Sequence, residues 1–208
     1  GMSFEDTQPD LTTWKQFLHH HKNPKSTVKI GLIGKYVELK DSYKSIAESL
    51  IHAGAKLEAR VEIEWIHSES IMAKNAHETL QGLDGILVAP GFGSRGIDGK
   101  IETITHAREQ NIPFFGICLG MQCAVIEFAR SVLHLEDAHS TEIKEHIKHP
   151  VIDLMAEQKS IQNMGGTMRL GAYPCELTPG TKALEAYGIT PIEERHRHRY
   201  EFNDAYLE

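Results

Sequence analysis

Apolar residues in this chain recur in two rhythms, one helical and one extended, and the two alternate along most of its length. Leu11, Trp14, Phe17 and Leu18 keep helical spacing and predict a short amphipathic helix over 11–21, after a loose polar segment at 1–10. Val28-Lys29-Ile30-Gly31-Leu32-Ile33 predicts a strand that ends at Gly34. Asp41 is placed to cap a helix carrying Tyr43, Ile46, Ala47, Leu50 and Ile51 on one face, with Gly54 as its stop. Ala59, Val61, Ile63 and Trp65 alternate strictly, as in a strand. A helix is expected over 68–80 and a doubly buried strand at Gly85–Ala89. Ile101, Ile104 and Ala107 mark another helix, Phe114–Ile117 a further buried strand, and Gln122–Arg130 the helix after it. Beyond residue 131 the rhythm changes. An antiparallel strand is expected at 167–176, a short helix at 181–187 and a strand at 195–202.

Apolar strands alternating with helices predict an α/β fold. Its central, mostly parallel sheet carries helices on both faces and a small antiparallel portion lies beside it. The expected division is a scar and linker with a short helix at 1–24, then one domain over 25–208. Gly1-Met2 reads as a cleavage scar ahead of a cloned start. In a parallel sheet the site lies beyond the carboxyl ends of the strands. Gly34-Lys35-Tyr36, Pro90-Gly91-Phe92-Gly93 and Cys118 all fall at such ends.

The 208 residues carry a net charge of −7, and no basic stripe is visible, so a nucleic-acid partner is not expected. No apolar run approaches the ~20 residues of a membrane span. Three cysteines, at 118, 123 and 175, fit neither a disulfide framework nor a zinc site, which points to a reducing cytoplasm.

The richest segment is Gly116-Ile117-Cys118-Leu119-Gly120-Met121. A cysteine between a buried strand and a helix start sits on a sharp turn, the cysteine form of a nucleophile elbow. Gly116 and Gly120 are expected to permit the unusual torsions of that turn and close packing of helix on strand. The N–H groups of a helix start favour thiolate over thiol. A small hydrophobe at a strand end is the competing reading, but it needs no glycines at both positions. If the strands before Gly91 and Cys118 are neighbours, the Gly91 and Leu119 N–H groups can face one another across the thiol. Such an oxyanion hole loses about 10²–10³ in rate when one donor is removed.

Other motifs carry less. Gly91-Phe92-Gly93-Ser94-Arg95-Gly96 matches the dinucleotide fingerprint after a strand, but Ile97-Asp98-Gly99 reads as more loop and 110–116 holds no acidic residue. Gly31-Leu32-Ile33-Gly34-Lys35-Tyr36 lacks the spacing and hydroxyl of a P-loop. Thirteen histidines invite a metal, yet no two pairs stand at ligand spacing with a further donor, so no metal is expected. His19-His20-His21 reads as a solvated helix end.

Glu194 to Phe202 is the second informative segment. A strand there would place Arg195, Arg197, Arg199 and Glu201 on one face, and His196, His198, Tyr200 and Phe202 on the other. Charge blunts strand edges, but a guanidinium also binds carboxylate through two parallel hydrogen bonds. A thiol acyl-transfer site beside a carboxylate anchor suggests an amino-acid amide, glutamine foremost.

These residues closely resemble the class I glutamine amidotransferase domain of the CTP synthase family, from about Asp10 to Asn203. The likeness includes the segments above together with Asp41-Ser42-Tyr43, Ser140-Thr141-Glu142, His149-Pro150-Val151-Ile152 and Met164 to Gly171. The resemblance implies that Cys118 is the nucleophile, Gly91 and Leu119 are oxyanion donors, and Gly91, Leu119, Gln122, Glu142 and Arg199 hold L-glutamine. Glu142 would take the α-ammonium and Arg199 the α-carboxylate. It implies no cofactor in this domain. For the full-length enzyme it implies ATP, Mg and GTP as activator, an N-terminal synthetase domain (absent from this sequence) that aminates UTP, and a homo-oligomer in the cytoplasm.

Two departures stand out. Ala89-Pro90 replaces the commoner Pro-Gly, and proline has no N–H to donate, so the burden falls on Gly91 with Phe92 as the other candidate. The family's catalytic histidine belongs to a His-Pro-Glu motif beyond the Arg-His run, and no histidine follows His198 here. The last portion of the domain is therefore expected to be missing, and the fragment impaired. His67-Ser68-Glu69 and His134-Leu135-Glu136 share the spacing but not the context. A non-catalytic glutamine-binding or regulatory domain lacking the His-Glu pair is the alternative. A cysteine hydrolase acting on another amide or ester is the third reading.

Overall fold

The computed structural model describes residues 9–154, 171–196 and 198–207. The chain divides into two compact units, up to Val132 and from Leu133 onward.

The first unit is built on strands β1 (Ser26–Gly34), β2 (Ala59–His67), β3 (Gly85–Val88) and β4 (Phe114–Gly116). All pair in parallel, in the order β2-β1-β3-β4. The chain steps from β1 outward to β2, then returns past β1 to β3. That reversal opens the crevice beyond the carboxyl ends of β1 and β3. Ile33 pairs with Val88 and Val88 with Gly116, so three strand ends are level and their loops are neighbours.

Leu32, Leu87 and Ala89 are buried with Val37 and Tyr43, and Ile46, Ile63 and Trp65 pack against them. Ile46 belongs to helix α2 (Lys44–Lys56), which also packs on α1 (Thr12–Lys22). Ile33 and Val88 alternate with Leu32 and Leu87 and so face the opposite way. Helix α4 (Ile97–Glu109) packs there with α5 (Leu119–Ser131). The short helix α3 (Ala76–Leu80) lies between β2 and β3 in the chain. Leu32, Ile33 and Val88 are wholly inaccessible, and each such side chain contributes roughly 1.5–3 kcal/mol.

Three expectations change in detail. Asp41 does not cap α2: it lies inside a 3₁₀ turn, Lys40–Tyr43, and α2 begins with no side-chain cap. Gly54 does not stop α2 either. A β-carbon there would stand 2.6 Å from the Ala59 carbonyl oxygen, so glycine serves close packing, and Glu58, at φ 54°, turns the chain. The helix expected over 68–80 is a 3₁₀ turn, Ser68–Ser70, followed by α3. Asn75 interrupts it, accepting from the Met72 N–H at 2.7 Å and donating to the Ser70 carbonyl at 2.9 Å.

Ile97-Asp98-Gly99 is the first turn of α4 and not loop, because Gly96 enters at φ 75° directly before it. Gly99 is needed for contact, since a β-carbon there would lie 1.7 Å from the Ser68 carbonyl oxygen. The helix therefore does follow the glycine-rich loop, and the missing acidic residue at 110–116 is what still separates it from a dinucleotide site.

In the second unit, β5 (Ala138–Ser140) runs parallel to β6 (His149–Leu154), which pairs antiparallel with β9 (Tyr200–Phe202). β7 (Ala172–Cys175) and β8 (Ile192–Arg195) form a separate antiparallel ribbon. Of the strand expected at 167–176, residues 167–170 lie outside the described residues. Helix α6 (Lys182–Tyr187) is capped by Thr181, whose Oγ1 accepts from the Leu184 N–H at 3.3 Å. The single strand expected over 195–202 is two strands in two sheets. The ladder of the ribbon ends at Arg195, with the His196 N–H still donating to the Gly171 carbonyl at 3.1 Å, and the other sheet takes the chain up at Tyr200. His196 and Glu201, expected on opposite faces, consequently meet, with Nε2 and Oε1 3.0 Å apart.

Candidate active site

The Ile117 N–H donates to the Val88 carbonyl at 3.1 Å, which carries the β3–β4 pairing one residue past the strand end. Cys118 then turns at φ 54°, ψ −110°, and α5 starts at Leu119. Positive φ in a residue with a β-carbon stores of order 1–3 kcal/mol and is held only where the surroundings enforce it. The flanking glycines enforce it by contact. A β-carbon on Gly116 would stand 2.6 Å from the Gly120 carbonyl carbon, and one on Gly120 would stand 2.2 Å from the Val88 oxygen. Neither glycine has positive φ; the unusual torsion of the turn belongs to the cysteine.

The strand preceding Gly91 is the neighbour of the strand preceding Cys118, as the oxyanion reading requires. Around the position a Gly91 β-carbon would take stand Leu119 Cδ2 at 3.4 Å, Lys100 Nζ at 3.7 Å and Lys35 Cε at 3.7 Å. Gly91, Cys118 and Leu119 are thus brought together, with Leu119 buried and Cys118 half-buried. Gln122 is buried one turn along α5, its N–H donating to the Cys118 carbonyl at 3.0 Å. Glu142 and Arg199 belong to the second unit. The Glu142 N–H donates to Ser140 Oγ at 3.2 Å at the end of β5, and Arg199 immediately precedes β9.

All three cysteines are thiols. Burial pushes the Cys123 thiol up to about 11, with Lys100 and Arg130 opposing, so it stays protonated at neutral pH. Cys175 is exposed at the end of β7. His67 ends β2, which is three strand spacings from β4, or roughly 14 Å at about 4.8 Å per strand. Its Nδ1 accepts from the Glu69 N–H at 3.2 Å, so it is engaged in a local turn. Among the described residues His196, His198 and Glu201 bring possible ligand atoms within 4.8 Å of one another, a cluster that sequence spacing did not reveal.

Lys100 was also missed, and Lys35 was read only as part of the Gly34-Lys35-Tyr36 strand end. Lys100 is inaccessible and donates from Nζ to the Ala89 carbonyl at 2.8 Å, while Lys35, 5% exposed, donates to the Phe92 carbonyl. A signal existed for Lys100. It stands three residues after Ile97 and four before Ile104, on the apolar face of α4. Among the described residues no helix is long and apolar enough to cross a membrane.

The glutamine amidotransferase class-I family profile matches residues 38–208. A CTP synthase of Flavobacterium psychrophilum is 62% identical over 204 residues, covering 98% of this chain and 38% of that protein. The CTP synthase of Listeria innocua is 55% identical over 207 residues, covering 100% of this chain and 39% of its own length. The chain thus spans about two-fifths of these relatives. Among solved structures, the glutaminase domain of Trypanosoma brucei CTPS with bound acivicin superposes with a TM-score of 0.79 at 39% identity, over 86% of this chain and 70% of that one. The chain belongs to the class-I glutamine amidotransferase family and, within it, to the glutaminase domains of CTP synthases.

Proposed function

We propose that Cys118 is the nucleophile that opens the side-chain amide of glutamine. The thiolate attacks the amide carbon and the carbonyl oxygen gains charge. The Gly91 and Leu119 N–H groups stabilise that oxyanion. Collapse breaks the C–N bond, ammonia departs with a proton, and water then hydrolyses the thioester to glutamate. Gln122 helps to seat the substrate, Glu142 takes its α-ammonium and Arg199 its α-carboxylate, as their charges suit. The proton shuttle is assigned to the histidine of the family's His-Pro-Glu motif. His67 is not assigned that role, since it stands too far along the sheet edge from β4.

The observation that carries this reading is the strained turn of Cys118, held by two contact-limited glycines beside the Gly91 loop. Strain of this kind clusters where chemistry needs a side chain presented. In the full-length protein we propose that the ammonia goes to a synthetase domain, which aminates UTP using ATP and Mg, with GTP as activator. A cytoplasmic homo-oligomer is part of the same proposal.

The test is Cys118→Ser in the full-length protein. Glutamine-driven CTP formation should fall by at least ~10³-fold while formation from added ammonia persists. Loss of both activities together, or of neither, contradicts the assignment. Glutamine bound but never hydrolysed by the unaltered protein would favour a non-catalytic binding domain.

A further inference from the structure

Lys100 is the largest wholly buried side chain among the described residues. Removing an ammonium from water costs several kcal/mol unless something compensates. Among the described residues neither Lys100 nor Lys35 forms a salt bridge with a carboxylate. Each instead donates to a carbonyl of one short loop, Lys100 to Ala89 and Lys35 to Phe92. That loop contains Gly91, and both side chains reach the position its β-carbon would occupy. Two like charges at one loop repel each other, an arrangement that a nearby negative charge relieves.

The ionisable groups acting on the Lys100 ammonium are Cys123, Lys35 and Cys118. Burial lowers its pKa, Lys35 lowers it further, and the two thiols raise it. Cys123 stays a thiol at neutral pH, and Cys118 directly precedes Leu119, whose Cδ2 stands beside the same Gly91 position that Lys100 Nζ reaches.

The geometry points to Lys100 as a positioning residue of the glutaminase step, its ammonium fixing the Ala89–Phe92 loop and providing the buried positive charge that holds Cys118 as a thiolate. This rests on the reading of Cys118 as nucleophile. It adds a source of charge that the elbow itself does not contain.

The experiment measures the rate of Cys118 alkylation by iodoacetamide against pH, resolved by peptide mass spectrometry, in the 208-residue chain and in Lys100→Met. The unbranched Met keeps the volume and removes charge and donor. The midpoint should rise by about one pH unit, since a neighbouring charge shifts a pKa by 1–3. Glutamine kcat in the full-length Lys100→Met protein should fall about tenfold with KM nearly unchanged. Lys100→Gln, which keeps a donor but no charge, should show the same shift in midpoint, and it substitutes if the Met variant fails to fold. An unmoved midpoint in either cooperatively folded variant overturns the proposal. Failure of the underlying reading is seen separately, as glutamine hydrolysis that survives Cys118→Ser.

Discussion

The Gly120 α-carbon rests against the Val88 carbonyl so closely that a β-carbon would stand 2.2 Å from its oxygen. The obstacle is backbone in a wholly buried strand, so neither side can yield cheaply. Gly120→Ala should therefore destabilise the first unit by at least about 2 kcal/mol, in the upper range for overpacked cores. Urea unfolding checks this. A variant as stable as the parent would mean that α5 does not ride on β3 at this distance.

Cys118 holds φ 54° without being glycine. Comparing two variants that both remove the thiol isolates the strain. Cys118→Gly should be more stable than Cys118→Ala by about 1 kcal/mol, although glycine in an ordinary position is the less stable of the pair. Equal stabilities, or the ordinary order, would deny that the turn is strained.

Much of this site was legible in the sequence, because its parts are local. A cysteine between an apolar strand and a helix, with glycine two residues away on either side, prescribes an elbow wherever it occurs. That the strands before Gly91 and Cys118 are neighbours stood in the sequence only as a condition, and the pairing of β3 with β4 supplies it. What escaped depended on contacts between distant segments. Gly54 and Gly99 looked like punctuation, yet both are glycine because another backbone lies against them. The Arg195–Phe202 run alternated like one strand, but its two ends pair with different partners, β7 and β6. Lys100 drew no reading from the sequence, because only the fold brings the Ala89 carbonyl to it.

His106 is buried in α4, edge-on to His77 with ring centroids 5.6 Å apart. Burial, with repulsion from His77, holds its pKa below 6.5. In that interval the unfolded chain binds the proton and the folded chain does not, so stability is full above pH 6.5 and declines as pH falls toward the depressed value. The slope of unfolding free energy between pH 7 and 5 should be smaller in His106→Asn than in the parent. An identical slope would assign the acid sensitivity elsewhere.

Arg199→Lys keeps the charge but loses the planar fork that grips a carboxylate. Charged hydrogen bonds of this kind contribute roughly 1.5–3 kcal/mol, so glutamine affinity should fall about tenfold or more with the fold intact. Titration calorimetry decides it. Unchanged affinity would assign the arginine to the strand edge or to a domain contact.

The most direct test is to treat the chain with a glutamine-shaped chloroketone and map the modified cysteine. Cys118 should be labelled first and protected by free glutamine. Buried Cys123 should stay unmodified, and exposed Cys175 should react only at the slow rate seen with a simple alkylating agent. Labelling of Cys175 ahead of Cys118, or labelling of Cys118 that glutamine does not slow, would contradict a glutamine-opening nucleophile at this turn.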